Sequence, residues 1–224
     1  MPALDVPLPG AGQVTMRYVA EGSGSKPIVF VHGYGCAHDD WDLQLAALAG
    51  THRVFACDLP GHGASTRQMP MCRVELLGGA VAALLEAEDL SDACLVGHSM
   101  GCRVAMQAAL DAPERVSGLV FVDGSWIGQG DPDALERDAR APFEGDGDFG
   151  PFRSTLQTLF ADMFLPGQSP DRAQAVIDRA LTTDPALGTE LFASLVAWDA
   201  RHMTEALGRL ACRLMVVQST YLNV

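Results

Sequence analysis

Leu95-Val96-Gly97-His98-Ser99-Met100-Gly101-Cys102-Arg103-Val104, LVGHSMGCRV, sets one serine between two glycines, each two residues away. Residues 93–96 have the apolar character of a buried strand, and the chain after Ser99 favours a helix to about Asp111, stopped by Pro113. The serine therefore lies at a strand-to-helix junction. A turn that sharp strains the serine backbone and brings strand and helix so close that side chains two positions either side would collide, hence Gly97 and Gly101. The gain is exposure. The serine oxygen projects from the C-terminal edge of the sheet, where open α/β sheets bind ligands. The helix start adds unpaired amides and a partial positive charge.

Working outward, the alternating Val14 to Val19 predicts an early strand. The continuously apolar Pro27 to Val31 suits a strand buried on both faces, and ends in the loop His32-Gly33-Tyr34-Gly35. A helix over 42–49, a strand over 53–58 ending in Leu59-Pro60-Gly61-His62-Gly63, and a helix over 73–87 lead to the quoted stretch. Another apolar strand, 116–122, ends at Asp123-Gly124. Strands alternating with helices imply a doubly wound, mostly parallel α/β sheet. After Gly124 the rhythm breaks. A loop rich in Gly, Asp and Pro is followed by helical patterns at about 151–165, 170–182 and 186–207, and a buried strand is expected to reappear only at 213–218. The organisation read from this is a core over 1–124, an inserted helical cap over 125–210, and the core strand resuming over 211–224.

The 224 residues include 48% hydrophobic side chains, ample for a buried core, and carry a formal charge of −13. That sign argues against nucleic acid and anionic membrane as partners, since both need a basic face. The six cysteines, at 36, 57, 72, 94, 102 and 212, form no C-x-x-C pair. They read as reduced thiols of a cytoplasmic protein. The first residues lack the basic head and apolar run of a signal peptide, and no apolar run reaches membrane-span length. No ligand cluster or phosphate loop implies a metal or nucleotide, so no cofactor is expected.

With HGYG at 32–35, DLPGHGAS at 58–65, GHSMG at 97–101 and the insertion after 124, the sequence resembles the α/β-hydrolase family, in its serine-nucleophile, helical-cap form. The resemblance implies Ser99 as nucleophile, and an oxyanion hole from the backbone N–H groups of Tyr34 and Met100. Two preorganised donors matter because negative charge develops on the carbonyl oxygen as the serine attacks. A serine hydroxyl also needs a general base, and the base an orienting acid. The resemblance puts the acid after the strand at 213–218 and the histidine later still. A further strand and two helices would take about 45 residues. The chain stops at Val224, so it reads as an incomplete piece of a longer protein.

Within the chain, His32 and His62 belong to loop motifs and are expected to hold local hydrogen bonds, and His98 adjoins Ser99 but points elsewhere. His38 and His52 carry no constellation. Asp199 and His202 read as a solvated or capping pair on a cap helix. Asp123 has two readings, a triad acid or a carboxylate that holds the turn leaving the sheet.

A serine at the elbow argues against dehalogenase and epoxide hydrolase chemistry, whose enzymes in this family use aspartate there. It fits a cofactor-independent hydrolase of a small carboxylic ester or lactone, acting through an acyl-enzyme. The alternatives are a C–C bond hydrolase of a ring-cleavage product and a ligand-binding protein with the hydrolase fold. Trp126, Phe143, Phe152, Phe160, Phe164 and Trp198 are candidates either to line an apolar pocket or to bind the cap to the core. The expected partner is a small ester-like molecule, with a homo-oligomer left open.

Overall fold

The structure is a computed structural model that describes residues 1–124, 126–144, 149–164, 167 and 169–219. Ser125, where the insertion is expected to begin, Leu165, at the expected end of a helix, and residues 220–224 lie outside the described residues. The chain runs β1 (Ala3–Leu8), β2 (Gly12–Glu21), β3 (Pro27–Val31), α1 (Asp42–Leu48), β4 (Arg53–Asp58), α2 (Val74–Ala87), β5 (Ala93–His98), α3 (Met100–Asp111) and β6 (Val116–Val122). Then come α4 (Pro132–Arg140), α5 (Phe152–Ala161), α6 (Pro170–Ala180), α7 (Pro185–Arg209) and β7 (Arg213–Val217).

Among the described residues seven strands form one sheet in the order β1-β2-β4-β3-β5-β6-β7. β1 with β2 and β2 with β4 are antiparallel, and every pairing from β4 through β3, β5 and β6 to β7 is parallel. This is the mostly parallel α/β architecture expected. The central strands are apolar because they are covered on both faces: Val29, Val31, Val54, Phe55, Ala56 and Leu95 are fully buried. β3 and β5 are neighbours, so the loop after β3 and the elbow after β5 leave the same sheet edge side by side.

Three elements differ from the sequence expectation. β1 goes unforeseen because Pro7 and Pro9 disguise a short edge strand in which only Val6 and Leu8 are buried. α4 goes unforeseen because it is short and rich in charge, and none of its residues is fully buried. It is latched instead by charge, with Arg201 of α7 reaching Asp133 at 2.7 Å and Glu136 at 2.9 Å. Its start carries a signal all the same: Asp131 accepts from the amides of Asp133 and Ala134, and Pro132 takes the first helical position. Ser169-Pro170 and Asp184-Pro185 open α6 and α7 in the same way. The third difference is a correction. β7 was expected to be buried, yet all five of its residues are exposed, Met215 by 60% and Val216 by 58%. Among the described residues it pairs with β6 alone, and an apolar sequence does not by itself say what covers a strand.

The helical insertion between β6 and β7 is fastened to the rest of the molecule at several points. Arg73 of the loop before α2 bonds Glu136 of α4 at 3.2 Å and lies 3.9 Å from Glu190 of α7. Ser194 Oγ of α7 accepts the Val74 amide at the start of α2. Arg179 of α6 pairs with Asp39 and Asp40, and Arg67 donates to Thr182. The Phe143, Phe152, Phe160 and Trp198 side chains are buried in the same core that holds β3, β5 and α3.

Both elbow glycines sit at points of backbone contact. A Cβ on Gly97 would lie 2.3 Å from the Gly101 carbonyl oxygen, and one on Gly101 would lie 2.3 Å from that of Val31 and 2.6 Å from that of His32. Backbone atoms cannot yield as a flexible side chain does. Gly101→Ala is therefore expected to destabilise the protein by about 1–3 kcal/mol, the cost of overpacking. Urea unfolding of the variant beside the parent measures this, and an unchanged midpoint would refute the close approach of α3 to β3.

Candidate active site

Ser99 adopts φ 51° and ψ −115°, a conformation few side-chain-bearing residues hold. Three contacts maintain it. Its amide donates to the Val122 carbonyl of β6 at 2.9 Å, and its carbonyl accepts from the Cys102 amide at 3.1 Å and from Arg103 Nη1 at 3.2 Å. The Cys102 thiol points back to the Gly97 carbonyl at 3.1 Å and fills the space that a Cβ on Gly124 would need. Ser99 remains half-buried while Met100, the first residue of α3, is fully buried. The Met100 amide thus belongs to the first turn, where amides have no partner within the helix.

The loop after β3 lies directly against this elbow. A Cβ on Gly33 would be 3.1 Å from His98 Nδ1 and 3.4 Å from Ser99 Cβ. Glycine at 33 lets the loop backbone reach the serine, and Tyr34 follows. The Tyr34 ring packs against the insertion, meeting the Phe192 ring at 5.7 Å between centroids in a T-shaped arrangement. Phe192 in turn meets Phe143 at 5.0 Å, and Phe143 meets Phe152 at 5.6 Å. Gly35 has Phe160 and Ala180 against it. The aromatic residues of the insertion thus pack down on the loop, and four of the six expected candidates (Phe143, Phe152, Phe160 and Trp198) are buried. Trp126 is 44% exposed. Phe192, which joins this cluster to Tyr34, had no distinguishing mark in the sequence.

A buried ion pair stands behind the elbow. Arg103 Nε and Nη2 bond Asp199 Oδ1 and Oδ2 at 2.8 and 2.6 Å, with the arginine side chain 3% and the aspartate 0% exposed. Asp199 Oδ2 also accepts the amides of Ile127 at 2.9 Å and Gly128 at 3.4 Å. Asp199 is therefore not the solvated or capping residue expected, because its partner lies 96 positions away. His202 is partly open to solvent, its ring tilted 51° to that of Trp198 and its Nε2 3.5 Å from Glu75.

The other expected participants separate clearly. His32 Nε2 accepts the Leu59 amide at 3.0 Å, so its Nδ1 carries the proton and donates to the Gly33 carbonyl at 2.8 Å. His62 Nδ1 lies 3.3 Å from the Pro60 carbonyl, and its Nε2 is buried without a partner. His38, expected to carry no constellation, pairs at 2.8 Å with the buried carboxylate of Asp58, a contact made by the fold of its loop rather than by spacing. His52 bonds Thr51. His98 is driven below its ordinary pKa by burial, opposed by the Asp123 and Asp40 carboxylates. Asp123 accepts the Ser219 amide just beyond β7, and its own amide donates to Val217. Among the described residues no histidine is hydrogen-bonded to Ser99, and no three His, Cys, Asp or Glu side chains gather as a metal would require.

Burial lowers the pKa of His62 from 6.5 to about 3 and also lowers that of His32. An unfolded chain binds these protons at higher pH than the folded one. Stability is therefore full above pH 6.5 and falls as the pH drops from 6.5 toward 3, with a slope of about 1.4 kcal/mol per pH unit for each such histidine. Unfolding free energies from urea titrations between pH 7 and 5 are expected to show this, and His62→Gln to flatten the slope by close to one proton. An equal slope in that variant would mean that His62 titrates normally in the folded state.

Comparison with known proteins places this geometry in a family. A sequence profile for the alpha/beta hydrolase fold matches residues 26–211. The dihydrolipoyllysine-residue acetyltransferase component of the acetoin cleaving system of Cupriavidus necator is 35% identical over 152 residues, which are 68% of this chain and 40% of that protein. Among solved structures, a thermophilic esterase from Thermogutta terrifontis superposes with a TM-score of 0.80 at 22% identity, over 98% of this chain and 80% of that one. The esterase RhEst1 from Rhodococcus sp. ECU1013 gives 0.73 at 28% identity, over 98% and 81%. The chain thus spans less than half of that curated relative and about four fifths of the solved neighbours. With the profile spanning every strand from β3 to β6, the elbow and the whole helical insertion, the chain belongs to the alpha/beta hydrolase fold family.

Proposed function

We propose that the protein is a cofactor-independent serine hydrolase that cleaves a small carboxylic ester or lactone through an acyl-enzyme at Ser99. The observation that carries this reading is the backbone of Ser99 itself, a strained φ of 51° held by hydrogen bonds at the junction of β5 and α3. Strain of about 1–3 kcal/mol persists only where surrounding structure over-determines it, and it gathers at functional sites. Family membership and the resemblance to esterases support the same reading.

In this mechanism Ser99 Oγ attacks the substrate carbonyl carbon as its proton passes to a general base. The carbonyl oxygen takes the negative charge, opposite the backbone N–H groups of Tyr34 and Met100. Collapse of the tetrahedral intermediate expels the alcohol, or opens the lactone ring, and leaves the acyl group on Ser99. Water then repeats the sequence and releases the acid. The aromatic packing on residues 34 and 35 and the buried start of α3 both serve to hold the two donors still between these steps. In this reading the helical insertion acts as a cap, and Trp126 and Ile127, between β6 and α4, are exposed apolar side chains. A cytoplasmic setting is part of this proposal, supported by cysteine spacing without a paired framework; burial pushes Cys36, Cys57, Cys72 and Cys102 up to about 12.

A fluorophosphonate is expected to form a phosphorus–oxygen bond to Ser99 with loss of fluoride, seen as one mass increment on intact protein, and Ser99→Ala is expected to take none. Hydrolysis of a p-nitrophenyl ester should fall to background in the same variant. Label retained by Ser99→Ala would remove the nucleophile assignment. Turnover of a vinylogous diketone but no ester would move the protein to C–C bond hydrolysis.

A further inference from the structure

The Ser99 carbonyl and the Met100 amide are the two ends of one peptide group. Because a trans peptide is planar, its C=O and N–H point in opposite directions, and whatever fixes one fixes the other. Arg103 Nη1 donates to that carbonyl at 3.2 Å, from the side of the peptide away from the amide. We infer that Arg103 is a positioning residue for the oxyanion-stabilising amide of Met100, and that Asp199 of the helical insertion sets Arg103 in place to do so. The inference rests on the serine hydrolase reading for its chemistry, and on the hydrogen bonds alone for its geometry.

Two physical effects follow from the contact. A charge-assisted bond to the carbonyl limits rotation of the peptide plane, which the strained ψ of −115° at Ser99 would otherwise tend to relax. A cation on the carbonyl oxygen also draws electron density along the peptide and makes the N–H at its far end a better donor, as in any polarised hydrogen-bond chain. Neither effect needs Arg103 to touch substrate. The guanidinium is suited to the task because it is planar: the Nε and Nη2 edge is engaged by both oxygens of Asp199, which turns Nη1 toward Ser99. Lysine has no second edge to be held by.

The aspartate is in turn over-determined. Besides the arginine it accepts the amides of Ile127 and Gly128, on the strap that joins β6 to the insertion. A Cβ on Gly128 would lie 1.9 Å from the Val196 carbonyl, so that strap lies directly on α7. Helix α7, the strap and the elbow are thereby linked by one buried carboxylate and one buried cation. Seating of the insertion is transmitted to the oxyanion amide. A purely structural role would be to neutralise two charges and pin α7 to α3, and it would leave the reaction at Ser99 unaffected so long as the protein is folded.

The test compares Arg103→Lys, Asp199→Asn and the double replacement Arg103→Met/Asp199→Leu, which swaps the ion pair for apolar side chains. Arg73→Met, which breaks other contacts between the insertion and α2, is the control. Losing an entire oxyanion donor slows reactions by about 100- to 1,000-fold. A misaligned and less polarised donor is expected to slow fluorophosphonate labelling, and kcat for an aryl ester, by about 10-fold or more. KM should change little, and circular dichroism and the melting temperature of the double replacement should stay close to the parent's. Arg73→Met should label at the parent rate. Hydrogen exchange gives an independent reading: amides 99–103 should exchange faster in all three Arg103 and Asp199 variants, with β3 and β5 unchanged. A folded double replacement that labels at the parent rate would overturn the inference. So would unchanged exchange at the elbow in Arg103→Lys and Asp199→Asn, should the double replacement fail to fold. A parent protein that takes no label at Ser99 would refute the hydrolase reading instead, with exchange at the elbow still deciding the role of Arg103.

Discussion

The constraint on which the molecule depends is the contact between the start of α3 and the ends of β3 and β5. Backbone meets backbone there: Gly97 against Gly101, and Gly101 against Val31 and His32. Side chains would hold these elements several ångströms apart. Their absence lets the helix begin almost on top of the sheet, which bends the chain at Ser99 into a conformation that ordinary packing would not tolerate. Position and strain therefore have one origin. The serine is lifted to the sheet edge by the same approach that fixes its backbone.

Around that contact the structure adds restraints rather than freedom. Gly33 brings the loop after β3 against Ser99, and Tyr34 anchors the loop by sending its ring into the aromatic residues of the insertion. His32 holds the loop's base through the Leu59 amide, and Asp58 gathers the amides of His38 and Ala64. His32 and Asp58 are buried with their polar atoms engaged, and burial lowers the pKa of both His32 and His62. They build a frame for chemistry without themselves being placed to exchange a proton with the serine.

The insertion is joined to this frame by polar contacts at its periphery and by a buried ion pair at its centre. Peripheral pairs such as Arg201 with Asp133 are half open to solvent and contribute little each. The Arg103–Asp199 pair differs in kind, since either partner alone would be an uncompensated charge in the interior. Both are needed, or neither. That dependence ties the position of α7 to α3, the helix that begins at the elbow.

What the sequence determined was the local part. Two glycines flanking a serine, apolar runs of strand length and prolines at helix starts act through the backbone of neighbouring residues, so the order of β3, β4, β5, α3 and β6 and the elbow at Ser99 were legible in it. What only the tertiary structure decided were contacts between residues far apart in the chain. Arg103 and Asp199 look like an ordinary helical arginine and a solvated acid until 96 residues of chain fold back to pair them. His38 acquires Asp58, Tyr34 acquires Phe192, and α4 is tied to α7 by Arg201, which meets Asp133 and Glu136. β7 has the composition of a core strand, yet nothing among the described residues covers it. Apolar pattern records which residues prefer to avoid water, whereas burial depends on what the remainder of the fold brings to cover them.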